Sequence, residues 1–115
     1  GFGRIGRSIY RIITSRTNHK VVAINDLSEA DALAYLLKYD TVMGNFEGEV
    51  KIKDGKLFSP KQEVEISSEP DPSKLPWKEN KIDIVIESTG IFRTKKQIQK
   101  HRVSHRFQIV PKYEK

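Results

Sequence analysis

Three glycines at fixed spacing open the chain, in Gly1-Phe2-Gly3-Arg4-Ile5-Gly6, and an acid, Asp26, follows 20 residues after the third. Gly-x-Gly-x-x-Gly lets main chain approach a pyrophosphate. The first Gly makes a tight turn, the second clears room for phosphate oxygens, and the third lets the next helix pack on its strand. Free N–H groups and the positive end of the helix dipole then attract the anion, which makes Gly1, Phe2, Gly3, Arg4, Ile5 and Gly6 candidate cofactor-binding residues. A carboxylate at the end of the following strand accepts hydrogen bonds from ribose hydroxyls. A third polar group, Ser88-Thr89-Gly90, follows an apolar run, and Phe92 lies two residues further on. With no cysteine in 115 residues, thiol nucleophiles, thiolate metal sites and disulfides are all excluded.

These residues need a scaffold, and the periodicity supplies one. Ile5, Ile9, Ile12 and Ile13 fall at i, i+4, i+7 and i+8, which predicts a helix from about Arg4 to Ser15 with the four isoleucines in the core. Val21-Val22-Ala23-Ile24 is a continuous apolar run, expected as a strand covered on both faces. Ser28-x-x-Asp31 has the form of a capping box opening a second helix, with Ala30, Leu33, Ala34, Leu36 and Leu37 as its buried stripe. A phosphate loop with no strand before it has no anchor, so the pattern implies a strand ahead of Gly1. Glu49–Lys53 alternates, Asp54-Gly55 signals a hairpin, Lys56-Leu57-Phe58 returns, and Glu63–Ile66 makes a third short strand. The expectation is an antiparallel insertion beside a parallel sheet. Ser68–Ser73 is a proline-rich loop, and Trp77 is a packing anchor.

Ile82–Glu87 predicts another buried strand, with Ser88-Thr89-Gly90 at its carboxyl end, where open α/β sheets bind ligands. A helix from Thr94 through His101 and a strand at Phe107–Val110, stopped by Pro111, complete the order. His19, His101 and His105 have no carboxylate or cysteine at ligand spacing and are expected at the surface. The fold class is therefore α/β: a Rossmann-type dinucleotide-binding fold, incomplete for want of its first strand, with a short antiparallel insertion. Residues 1–101 form the partial binding domain and 102–115 a divergent basic tail.

Length allows one domain with a core. No apolar run approaches the about 20 residues of a membrane span. The net charge of +6 arises entirely at the end: residues 93–115 hold eight Lys or Arg and one acid, against thirteen and fourteen in residues 1–92. Such a run reads as a solvated surface or tail rather than a nucleic-acid face of the domain. The absence of cysteine suits the cytosol.

The chain resembles phosphorylating glyceraldehyde-3-phosphate dehydrogenase in its amino-terminal NAD-binding part. The phrases that carry this are Gly1-Phe2-Gly3-Arg4-Ile5-Gly6-Arg7, Val22-Ala23-Ile24-Asn25-Asp26, Leu37-Lys38-Tyr39-Asp40-Thr41, Gly55-Lys56-Leu57, Pro76-Trp77 and Ile86-Glu87-Ser88-Thr89-Gly90-Ile91-Phe92. They stand in family order from residue 1 to about 101. The resemblance implies NAD as cofactor, with Arg4 and Ile5 N–H groups on the pyrophosphate, Ile5 packed on the nicotinamide and Asp26 on the adenosine ribose. It places Ser88, Thr89 and Gly90 along the groove and Phe92 at its adenine side. It further implies a cytoplasmic homotetramer of glycolysis. The parent reaction oxidises a phosphorylated aldehyde through a cysteine thiohemiacetal, with hydride passing to NAD and phosphate releasing an acyl phosphate. The catalytic Cys and His belong to a domain that is not in these 115 residues, so the fragment itself is expected to be non-catalytic. An erythrose-4-phosphate dehydrogenase and a non-catalytic nucleotide-binding module remain open as alternatives. Pro70 stands where the family has a basic residue. Arg102–Gln108 replaces a Gly-Ala turn and a strand of small residues, and divergence or a shifted reading frame would each produce it; Ile109-Val110-Pro111-Lys112 resembles the family's next phrase.

Overall fold

The computed structural model describes residues 1–40, 44–92, 94–103 and 105–108. Helix α1 (Arg4–Arg16) leads to strand β1 (Ala23–Asn25), helix α2 (Ala30–Lys38) and a short ribbon of β2 (Tyr39–Asp40) with β3 (Gly44–Asn45). A meander of β4 (Lys51–Lys53), β5 (Lys56–Ser59) and β6 (Gln62–Ser67) follows. After a 3-10 turn at Pro72–Lys74 come β7 (Ile84–Glu87), the short helix α3 (Lys95–Ile98) and β8 (His105–Gln108).

β4, β5 and β6 form the short antiparallel meander that the alternation suggested, and it joins the parallel pairing directly. β6 is antiparallel to β5 on one edge and parallel to β1 on the other, with Ile24 opposite Ile66, so all four make one sheet in the order β1-β6-β5-β4. The Asp54-Gly55 hairpin forms as expected, both residues having positive φ (53° and 73°), the geometry a tight two-residue turn requires. α2 packs Leu33, Ala34 and Leu37 against this sheet, where they join Phe2, Tyr10, Ile24, Leu57 and Val64 in the core. Leu36, expected on the same stripe, is exposed. The expected capping box at Ser28 does not form: the helix begins after Glu29, which makes no side-chain cap. The cause is local. The Asp26 carboxylate takes the Ser28 N–H at 2.9 Å and holds that residue in a turn.

β7 and β8 pair in parallel, Ile84 opposite His105 and Glu87 opposite Gln108. The last strand thus begins two residues earlier than its apolar run implied. Thr41, Ile109, Val110 and Pro111 lie outside the described residues.

Between β1 and β7 runs a cavity of about 620 Å³, lined by Ile9, Ile13, Val22, Ile24, Ile84 and Ile86 among others. Among the described residues β1 pairs only with β6, and β7 only with β8, so both strands turn an unpaired edge toward this space. That accounts for the isoleucine stripe of α1. Ile9 and Ile13 face the cavity, Ile5 and Ile12 are 48% and 46% exposed, and the helix buries Tyr10 instead. Val22 and Ile84, at 39% and 50% exposed, likewise miss the two-sided burial expected of their strands. An added parallel strand would pair both edges and cover these side chains. Fusing five or six β-branched residues ahead of Gly1 is therefore expected to raise the melting midpoint by on the order of 10 °C and to sharpen the transition. An unchanged melting curve would mean that the space does not take a strand.

Candidate functional site: the glycine loop and the ends of β1 and β7

Gly3 caps α1 in extended conformation, and the first helical bond runs from the Arg7 N–H to the Gly3 carbonyl at 2.9 Å. The N–H groups of Arg4, Ile5 and Gly6 consequently have no carbonyl within the helix, and the dipole of a 13-residue helix lies behind them. The fold asks different things of the three glycines. A Cβ on Gly6 would stand 2.2 Å from the Gly1 carbonyl oxygen, and one on Gly1 would stand 2.8 Å from the Thr89 side chain. Both are needed for chain-to-chain approach. Gly3 is different: a Cβ there would meet nothing within 4 Å, and its φ of −75° suits any residue. Nothing in the protein itself requires a glycine at position 3.

Asp26 closes β1, its N–H continuing the ladder to the Ser67 carbonyl at 3.0 Å. Its Oδ2 accepts the Phe2 N–H at 2.8 Å and its Oδ1 the Ser28 N–H at 2.9 Å. Burial pushes this carboxyl up, but the hydrogen bonds from Phe2 and Ser28 outweigh it and leave the group below its ordinary range. Asp26 is thus a fixed carboxylate that ties the glycine loop to the sheet. The Ser28 side chain is a third donor to the same carboxylate, which has about four lone-pair sites in all. Phe2 packs its ring edge-on against Tyr10 in the core, 2% exposed, and its N–H is already held by Asp26, so its part in the site is to tie the loop down rather than to donate to an anion.

At the end of β7 the Ser88 hydroxyl donates to the Gly1 carbonyl at 3.0 Å, joining the second loop to the first. The Thr89 N–H and hydroxyl both donate to Glu87 Oε2, at 2.9 and 2.6 Å. Gly90 has a φ of +77°, the left-handed conformation that favours glycine. Gly1, Phe2, Gly6, Asp26, Ser88 and Thr89 are thereby one connected group, with Gly3, Arg4 and Ile5 at its open side. Phe92 lies on the wall of the β1–β7 cavity, which reaches the loop at Gly1, Phe2 and Gly6.

Residues 1–95 match the family described as glyceraldehyde 3-phosphate dehydrogenase, NAD binding domain. The chain belongs to that family. A glyceraldehyde-3-phosphate dehydrogenase of Thermotoga maritima is 52% identical over 103 residues, which are 88% of this chain and 31% of the relative. Glyceraldehyde-3-phosphate dehydrogenase A of Escherichia coli is 46% identical over 101 residues, 88% of this chain and 30% of that protein. The chain therefore spans just under a third of the length of these relatives. The resemblance drawn from the phrases between Gly1 and Phe92 is borne out, and with it the α/β dinucleotide-binding fold and NAD as the cofactor of the domain.

The residues fit such a cofactor. The unfilled space over Gly3, beside the first N–H groups of α1, suits a pyrophosphate, and the anchored Asp26 carboxylate suits a ribose diol. Among the described residues no group of three His, Cys, Asp or Glu could hold a metal ion. No helix among them is long and apolar enough to cross a membrane.

Two members of the site region escape a reading of the sequence. His101, expected at the surface, is 4% exposed; its Nε2 lies 3.1 Å from Glu87 Oε1, and its Nδ1 lies 2.9 Å from the Trp77 indole nitrogen. Glu87, itself 3% exposed, is the carboxylate that the spacing rule did not find. The partners are 14 and 24 residues away, and α3 with its capping box at Thr94 is what turns the chain back to bring them together. His19 and His105 are exposed as expected. Trp77 is buried, as a packing anchor should be, and its ring also stacks on His101.

Proposed function

We propose that this chain is the cofactor-holding part of a phosphorylating glyceraldehyde-3-phosphate dehydrogenase. In this reading the Arg4 and Ile5 N–H groups take the pyrophosphate in the space over Gly3, and Asp26 takes the adenosine ribose. Ser88, Thr89 and Gly90 line the cofactor groove, Ile5 packs on the nicotinamide ring, and Phe92 borders the adenine side. Bound NAD supplies the hydride acceptor. The chain's own residues bind and orient it. The observation that supports this most is Gly3: the one glycine that the fold does not need lies beside the free helix N–H groups. A phosphorylated aldehyde as substrate, a homotetramer and a cytoplasmic setting belong to the same proposal and follow from the family. So does the division into residues 1–101 as binding domain and 102–115 as basic tail.

The covalent step of such an enzyme needs a thiolate, and the 115 residues contain no cysteine. The chain alone is expected to give no aldehyde-dependent NAD reduction. Grafted in place of the matching segment of the Thermotoga maritima relative, residues 1–95 should restore phosphate- and aldehyde-dependent reduction. A graft that folds and binds NAD without turnover on glyceraldehyde 3-phosphate would overturn the catalytic part of the proposal. Turnover by the cysteine-free chain, proportional to its concentration after repurification, would overturn the assignment of the chemistry to a thiol.

A further inference from the structure

We propose that Trp77, His101 and Glu87 form a buried positioning chain that holds the Ser88-Thr89-Gly90 turn in place for NAD, with His101 fixed as the neutral Nε2–H tautomer. The inference rests on the nucleotide reading above and adds three residues to it.

The tautomer follows from donors and acceptors. An indole nitrogen can only donate, so His101 Nδ1, 2.9 Å from Trp77 Nε1, must accept and carries no proton. An imidazolium would set two N–H groups against each other at that contact. The neutral ring therefore bears its proton on Nε2 and donates it to Glu87 Oε1 at 3.1 Å. Glu87 receives this bond on one oxygen, and the Thr89 N–H and hydroxyl on the other. Burial pushes the Glu87 carboxyl up, but the donors from His101 and Thr89 outweigh it, so the group stays ionised and leaves the proton on the ring.

The chain then runs into the site. Thr89 Oγ1 accepts the Ile91 N–H at 3.0 Å, which fixes the turn around Gly90. Ser88 next to it donates to the Gly1 carbonyl, the start of the glycine loop. On the far side Arg106 Nη1 donates to the His101 and Val103 carbonyls at 2.7 and 3.1 Å, securing the loop that carries the ring. Glu87 and His101 are 3% and 4% exposed, too buried to touch a dinucleotide themselves. They are positioning residues, and Thr89 is the residue through which they act. The polarity of the chain is determined throughout: each donor faces an acceptor only if His101 is the Nε2–H form.

Two measurements on the 115-residue chain test this. Long-range proton–nitrogen correlation spectra of the histidine rings should show His101 with Nε2 protonated and Nδ1 unprotonated at neutral pH. An imidazolium or an Nδ1–H ring would overturn the inference. NAD titration of variants tests the positioning. His101→Gln keeps a donor toward Glu87 and an acceptor toward Trp77, and should bind NAD within about threefold of the unmodified chain. His101→Leu keeps bulk but not polarity and should weaken binding at least tenfold. Equal affinity for the Leu and Gln variants would refute the positioning role. Should His101→Leu fail to fold, Trp77→Phe replaces it: the freed Nδ1 then admits both tautomers, visible in the same spectra, and affinity should fall severalfold. A Trp77→Phe chain that keeps a pure Nε2–H ring and full affinity refutes the role equally. If the unmodified chain binds no NAD, the nucleotide reading fails; if it binds and the variants do not differ, only this inference fails.

Discussion

Replacing Asp26 by Ala is expected to collapse the preference for NAD over NADP by on the order of a hundredfold or more. The anchored carboxylate is a charged acceptor, and hydrogen bonds to charged groups contribute about 1.5–3 kcal/mol each. The 2′-phosphate of NADP would bring about two negative charges against the same carboxylate, turning gain into repulsion, and a few kcal/mol of discrimination corresponds to that ratio. Leu27 and Ser28 supply no cation to offset it. Asp26 has a second role, since its oxygens hold the Phe2 and Ser28 N–H groups. The Ala variant should therefore also loosen the glycine loop and weaken both cofactors. Asp26→Asn separates the two effects: it keeps one acceptor but loses the charge, so NADP rejection should fall more than loop stability. Dissociation constants for both cofactors on each variant, alongside thermal melts, check this. Equal affinities in the unmodified protein would remove Asp26 from the ribose site.

Gly3→Ala and Gly6→Ala should fail in opposite ways. An Ala at position 6 gains roughly 1 kcal/mol of helix propensity. Its Cβ, however, would lie 2.2 Å from the Gly1 carbonyl oxygen, backbone against backbone, with no flexible end to yield. Overpacking typically costs about 1–3 kcal/mol, and a clash with main chain lies at or above the top of that range. A fall of about 10 °C or more in the melting midpoint is expected. Ala at position 3 meets nothing within 4 Å, and at a helix N-cap it costs about 1 kcal/mol at most. Its melting curve should be close to that of the unmodified chain, while NAD binding weakens at least tenfold because the methyl occupies the pyrophosphate's place. A Gly3→Ala chain that binds NAD normally would empty the proposed phosphate site.

Features of the sequence that act locally were legible, and those that depend on distant partners were not. Asp54-Gly55 forms its hairpin because positive φ at two successive residues is a local demand. The glycine spacing and the acid after β1 could be read for the same reason, as could α1 and α2 to within a residue or two at their ends. The pairing direction of β6 could not, because alternation marks a half-buried face and is silent on which neighbour is parallel. Periodicity likewise placed Ile5 and Ile12 on one stripe of α1, but only the sheet decides which part of a stripe is covered. At Ser28 two local rules competed for one N–H group, and the Asp26 carboxylate prevailed over the capping box. His101 was misread because its acceptor and donor are supplied by Glu87 and Trp77, neither of them within a helical turn of it.

The central claim is that the glycine loop and the ends of β1 and β7 together hold NAD. Backbone amide spectra recorded while NAD is added to the 115-residue chain test it most directly. Saturable shifts at Arg4, Ile5, Asp26 and Thr89, with little change across the β4–β5 hairpin, are the predicted result. Shifts confined to the β1–β7 cavity around Ile13 and Ile84, or no saturable shifts at all, would contradict it.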